Sequence, residues 1–246
     1  MSTDSIKIEV LFDTFSLPAP FAYKYDLKAE VYPNKVKARF NIEYYDRDEL
    51  SPEEIEAEGF SENDDFNWEG ELAGNWPQVL QALTSKSSPS KETKSQFQFF
   101  KIIDNKKIAQ RFDNDIDCPY LIQELIQAIY EVCEKQNPLA IEIIDQNQKA
   151  TNKVTITCFF KNRTLAVIKN NKKSSVNWEV LKPFMEKLYS LPFDSMKSQF
   201  KKPKGAGSYI NPGDGLWYTL PKKIESNKNI QTSSDYLESL YNVLKF

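Results

Sequence analysis

The sequence predicts an α+β fold, in which antiparallel β-hairpins and sheets carry helices packed on one face. Apolar and charged residues alternate over residues 21–45, the pattern of two half-buried strands. Apolar stripes of helical period recur downstream, each opened by a capping residue. The elements run strands–helix, strand–helix, strands–helix, hairpin–helix, an order that suits antiparallel hairpins with helices on one side.

In the first hairpin Phe21, Tyr23, Tyr25, Leu27, Ala29 and Val31 alternate with Lys24, Asp26, Lys28 and Glu30. Val36, Ala38, Phe40, Ile42 and Tyr44 then alternate with Lys35, Lys37, Arg39, Asn41 and Glu43. If opposed residue numbers sum to 67, Val31 faces Val36, Leu27 faces Phe40 and Tyr23 faces Tyr44, while Lys24 meets Glu43 on the other side. A slip of one residue would set every apolar side chain against a charge. The connection through Pro33-Asn34 is then two or four residues long, and the proline favours a four-residue type I loop. Further strands are expected at 5–12, 66–72, 97–103, 139–145, 153–161 and 164–169, the last two joined by a short turn at Asn162-Arg163.

The helix at 51–58 has Ser51 as N-cap, Pro52 at the first position and Glu54 completing a capping box. Asn75 caps WPQVLQALTSK. The longest helix, about 119–135, has Leu121, Ile122, Leu125, Ile126, Ile129, Val132 and Cys133 on its apolar stripe, and Gln123, Glu124, Gln127, Glu131 and Glu134 on its wet side. Asn177 caps WEVLKPFMEKLYS, where Pro183 predicts a kink or early break. SSDYLESLYNVLKF closes the chain, with Ser233 or Ser234 as cap.

A Ser/Lys-rich stretch at 84–95 is the linker candidate. It separates an N-terminal sheet-plus-helix unit, residues 1–90, from a C-terminal α+β unit, residues 96–246. Two matched dipeptides, Lys35-Val36 with Lys153-Val154 and Asn75-Trp76 with Asn177-Trp178, suggest a duplicated sheet-plus-helix unit sharing one compact globule.

Composition excludes more than it identifies. The chain has 246 residues and no histidine. Ser–His–Asp and Cys–His nucleophile activation are therefore absent, as are imidazole metal sites and the side chain best suited to proton transfer near neutrality. No GxxxxGK[ST] or GxGxxG motif occurs. Cys118, Cys133 and Cys158 fit no zinc or disulfide spacing and are expected as buried thiols in a reducing cytoplasm. No membrane span and no secretory signal are expected. Net charge is −3, but residues 46–71 hold twelve acids and one base, whereas 161–204 hold eleven bases and three acids.

The stretch 201–223, KKPKGAGSYINPGDGLWYTLPKK, holds four of the seven glycines. Strand-forming residues follow the glycines, so a phosphate cradle at a helix start is excluded. A hairpin is expected instead, Ser208-Tyr209-Ile210 against Leu216-Trp217-Tyr218, looping through 211–215. Lys202, Lys204, Tyr209, Trp217, Tyr218, Lys222 and Lys223 are the candidate partner-binding residues. Trp217 and Tyr218 could equally complete the core.

The function expected first is a non-catalytic, soluble, cytoplasmic binding or adaptor protein with a protein partner, no cofactor and no membrane contact. The second reading is a single-stranded nucleic-acid binder using Lys24, Lys28, Lys35, Lys37 and Arg39 on the first hairpin, with Lys161, Arg163, Lys169, Lys172 and Lys173. A pI of about 5.3 weighs against it. The third is a carboxylate-based, metal-dependent enzyme drawing on Asp64, Asp65, Glu69 and Glu71, or on Asp113, Asp115 and Asp117.

Overall fold

A computed structural model describes residues 6–14, 17–85, 98–104, 107–111, 117–147, 150–191, 193–226 and 229–245. Contacts divide the chain into two compact units, Met1–Gln136 with Phe160–Asn162, and Asn137–Phe159 with Arg163–Phe246. The division falls at Gln136 rather than between residues 90 and 96, and strand pairing explains why. The segment after the Ser/Lys-rich stretch pairs Ile103 with Lys7 and Gln98 with Phe12, which draws it into the first sheet. Most of that stretch lies outside the described residues.

The first unit contains β1 (Ile6–Asp13), β2 (Tyr23–Val31), β3 (Val36–Tyr44), α1 (Pro52–Ala57), β4 (Phe66–Leu72), α2 (Trp76–Ser85), β5 (Gln98–Asp104), β6 (Lys107–Arg111) and α3 (Asp117–Val132). Its antiparallel sheet has the order β4-β3-β2-β1-β5-β6. The β2–β3 register is the one the alternation predicts: Val31 faces Val36, Leu27 faces Phe40 and Tyr23 faces Tyr44. Four residues join the strands, and the Tyr32 N–H donates to the Lys35 carbonyl at 2.9 Å. Leu27, Ala29, Val31, Val36, Ala38 and Phe40 are buried on one face with Ile8, Val10 and Leu72. Trp76 and Leu80 of α2, and Leu125 and Ile129 of α3, complete this core. The opposite face carries charges, several of them paired: Lys7 with Glu30 at 3.1 Å, Lys24 with Glu43 at 2.9 Å and Arg39 with Glu69 at 2.6 Å.

The capping box of α1 forms as its sequence requires. The Glu54 N–H donates to Ser51 Oγ at 3.3 Å, and the Ser51 N–H donates to Glu54 Oε2 at 2.9 Å. In α3 the expected wet side is wrong in part, because Glu124 and Glu131 are buried. The two Glu131 carboxylate oxygens accept the Phe160 and Lys161 backbone N–H groups, each at 3.0 Å. Trp76 Nε1–H donates to the Phe160 carbonyl at 2.8 Å, so the 160–162 turn is held from two sides within this unit. Val132, placed on the apolar stripe, is exposed, and Cys133 is only half-buried.

The second unit contains β7 (Leu139–Gln146), β8 (Thr151–Phe159), β9 (Thr164–Lys169), β10 (Lys172–Val176), α4 (Leu181–Leu188), β11 (Ser198–Gln199), β12 (Gly207–Asn211), β13 (Trp217–Thr219), β14 (Lys223–Ser226), β15 (Asn229–Thr232) and α5 (Ser233–Leu244). Its main sheet is antiparallel with the order β10-β9-β8-β7-β12-β13-β11, while β14 and β15 form a separate ribbon. Asn177 caps a short 3₁₀ turn, Trp178–Val180, by accepting the Glu179 N–H at 3.0 Å. The α-helix starts only at Leu181, which leaves Pro183 in the first turn, where its missing N–H breaks nothing. The cap of α5 is Thr232 rather than Ser233 or Ser234, because only Thr232 has an acid three residues on to close a capping box, Asp235. The Tyr236 hydroxyl donates to the Leu188 carbonyl at 3.1 Å and ties α5 to the end of α4.

Both main sheets place their first four strands in reverse order and add the later strands beside the first. Asn75-Trp76 and Asn177-Trp178 each follow a fourth strand. Lys35-Val36, however, leads into the third strand of its sheet and Lys153-Val154 stands in the second, so only the Asn-Trp pair falls at matching positions.

The division of the first sheet into a buried and a paired-charge face gives a test. Phe40→Ala should cost about 3–5 kcal/mol in urea unfolding. Arg39→Ala, on a well-exposed ion pair, should cost under about 1 kcal/mol. Comparable losses would contradict the assignment of faces.

Candidate functional site

The 201–223 stretch forms the expected hairpin with a shifted register. Ile210 pairs with Tyr218 and Tyr209 with Thr219, two residues later on the second strand than the spacing predicts. The loop is set by its own side chains: Asn211 Oδ1 accepts the Gly213 N–H at 3.0 Å, and Asp214 Oδ1 accepts the Leu216 N–H at 2.8 Å. Gly213 has φ +111°, and a Cβ there would run into Leu139, so only glycine fits this corner.

This geometry turns the candidate aromatics inward. Trp217 and Tyr218 are buried. Tyr218 donates its hydroxyl to Asp214 Oδ2 at 2.6 Å, and its ring lies 4.9 Å from that of Phe193. The carboxylate beside it holds the Tyr218 phenol up at about 12. Tyr209 is half-buried and folds back toward Gly205 and Gly207, its hydroxyl donating to the Ala206 carbonyl at 3.3 Å. Trp217 and Tyr218 therefore present no free ring face of the kind base stacking uses.

The lysines divide. Lys202 Nζ lies 2.8 Å from Glu142 Oε2 and 5.2 Å from the Trp217 ring centroid. Lys153 approaches the same carboxylate oxygen at 3.3 Å. Burial pushes the Glu142 carboxyl up, but the Lys202 and Lys153 ammonium groups outweigh it and hold the carboxyl below its ordinary value. Lys204, Lys222 and Lys223 stand exposed.

The exposed apolar residues of this region lie just upstream of the window. Met196, 91% exposed, lies two residues before β11 and Phe200, 86% exposed, directly after it; β11 closes one edge of the second sheet. A short 3₁₀ turn, Ser195–Lys197, fixes the entry to β11; Asp194 caps it by accepting the Met196 N–H at 3.0 Å and pairs with Lys197 at 2.9 Å. Ser198 then pairs with Tyr218 and Gln199 with Trp217, seating this edge on the buried aromatics. The segment 194–204 carries Lys197, Lys201, Lys202 and Lys204 against Asp194 alone. Neither Met196 nor Phe200 belongs to a periodic apolar run, and that isolation in a Ser/Lys-rich stretch is the signal that marks them as exposed.

The other candidate constellations have structural partners. On the first hairpin Lys24, Lys28, Lys35 and Arg39 pair with Glu43, Asp26, Glu71 and Glu69 at 2.9, 2.8, 2.7 and 2.6 Å. Lys37 lies over the Tyr32 ring at 5.9 Å. Arg163 pairs with Glu179 at 2.9 Å, and Lys169 lies 5.2 Å from the Tyr241 ring. Lys161, Lys172 and Lys173 are exposed. Asp64 holds the buried Arg47 guanidinium at 2.7 Å, and Asp65 accepts the Tyr44 N–H at 2.7 Å. With Glu69 and Glu71 in ion pairs, this acidic group is spent on the fold. Asp113 and Asp115 lie outside the described residues, and Asp117 begins α3. Among the described residues no three acids or cysteines gather in a metal-binding arrangement, and no helix is long and apolar enough to cross a membrane.

No protein-family model matches this chain, and neither curated proteins nor solved structures give a match.

The Glu142 cluster predicts a pH response. A carboxyl whose folded pKa lies below its unfolded value, 4.5, contributes stability that is full above that value and is lost as pH falls through the folded one. Trp217 fluorescence should therefore hold steady near neutrality and change on acidification as Lys202 leaves the ring. Glu142→Gln should remove that acid transition; its persistence would assign it to another group.

Proposed function

We infer that this chain is a non-catalytic binding protein that docks a protein partner through the basic, apolar edge at 194–204. The observation that carries this reading is the pair Met196 and Phe200, large apolar side chains left almost wholly in water beside four lysines. Soluble chains tolerate single exposed apolar residues, but two that flank one short, internally fixed edge strand make a ready anchor pair. Methionine and phenylalanine are both enriched where protein interfaces are driest. Tyr189, 53% exposed, stands in the same unit with its hydroxyl donating to Pro212 O at 3.1 Å.

The missing histidine and the absence of a catalytic motif support a binding role. Against the nucleic-acid reading stand the paired lysines of the first hairpin and the inward-facing Trp217 and Tyr218.

A photo-crosslinking amino acid placed at position 200 should yield one dominant, stoichiometric protein adduct from native extract. The same group at Arg39, on the ion-paired sheet face, should give none. Equal or absent labelling at the two positions would contradict the docking edge, and turnover of a small metabolite by the purified chain would contradict the non-catalytic reading.

A further inference from the structure

We propose that the partner segment bound at this edge is acidic, a peptide or protein surface that offers an apolar pocket or side chain ringed by carboxylates. The proposal rests on the docking reading above and names the chemistry of the surface it meets.

Charge complementarity selects this partner. The whole chain is acidic, with a net charge of −3, yet 194–204 is one of its most basic stretches. Lys197 and Lys202 are tied to Asp194 and Glu142, which fixes their position. Lys201 and Lys204, on either side of Lys202, are exposed and enter no ion pair among the described residues. Phe200 and Lys201 are adjacent, so a contact that covers the ring brings its neighbours within reach of the first free ammonium. An acidic rim steers the encounter and disfavours basic partners, while the apolar pair holds the complex once water is expelled.

Two other occupants fit less well. An anionic membrane attracts lysines, but two apolar side chains give shallow insertion, and the acidic remainder of the chain is repelled by the same surface. A single-stranded nucleic acid would use Phe200 for stacking, yet Met196 has no aromatic face, and Trp217 and Tyr218 are buried.

Peptide display against the full chain tests the proposal, with counter-selection against the Met196→Ser/Phe200→Ser double variant. Both positions are exposed, so the variant should keep its fold and its unfolding midpoint. Enriched sequences should carry several Asp or Glu residues around at least one aliphatic or aromatic residue. A synthetic peptide from that pool should bind about tenfold or more weakly to Phe200→Ser, and more weakly to Lys201→Gln/Lys204→Gln, with affinity falling as salt rises. Ile168→Ser, an exposed apolar site elsewhere on the sheet, should leave binding unchanged.

Enrichment of neutral or basic sequences, no enrichment over the double variant, or peptide affinity indifferent to Phe200 would overturn the proposal. So would Phe200-dependent binding to phosphatidylserine vesicles or to oligothymidylate in place of peptide. If crosslinking from position 200 still captures a protein while acidic peptides fail, the docking edge survives and its acidic specificity does not; if neither succeeds, both fall.

Discussion

The register between β2 and β3 is the constraint on which the first unit depends. Val31 against Val36, Ala29 against Ala38 and Leu27 against Phe40 put every small and branched apolar side chain of the hairpin on one face. Slipping the pair by one residue would expose that set and bury Lys28, Lys37 and Arg39, at a cost no helix packing could offset. The same alternation dictates the other face, where lysines and acids fall opposite one another and satisfy themselves across strands. A sheet surface neutralised in this way is soluble but offers little net field to a charged polymer.

The docking edge proposed above lies instead where strand pairing ends. In the second unit the edge formed by β11 is short, is fixed by an Asp194 cap, and rests on two buried aromatics. An edge ordered in this way would lose little conformational entropy to a partner docked as proposed. The glycine corner and the Asp214 and Asn211 turns serve that arrangement by holding Trp217 and Tyr218 inside. The hairpin that the sequence marks as a candidate binding tip thus has Trp217 and Tyr218 buried, and the large exposed apolar side chains, Met196 and Phe200, lie a few residues upstream.

Much of the fold was legible because its signals are local. Phe66–Leu72 and Thr164–Lys169 are strands at the limits their composition suggests, and the Ser51–Glu54 box and the Asn177 cap form as spelled. Features that escaped depend on distant chain. Glu131 reads as solvent-facing on a helical wheel, and only the arrival of residues 160–162 gives its carboxylate two N–H groups to accept. Strands β6, β10, β14 and β15 are short and polar, without an alternating pattern to announce them; the exposed stretch of β10 is KKSSV. The site was half legible for the same reason. Turn residues fixed the hairpin, but which aromatics it buries follows from β7 on one side and β11 on the other.

Cross-strand proton contacts test the central constraint most directly. In the observed hairpin Tyr32 and Lys35 are hydrogen-bonded, so the pairs Ala29/Ala38 and Leu27/Phe40 fall at non-hydrogen-bonded positions, where α-protons approach closely. Nuclear Overhauser spectroscopy should show strong α-proton contacts for those two pairs. Contacts between Leu27 and Asn41, or between Leu27 and Arg39, in their place would mean that the sheet is built on another register, and the buried and neutralised faces of the first unit would lose their basis.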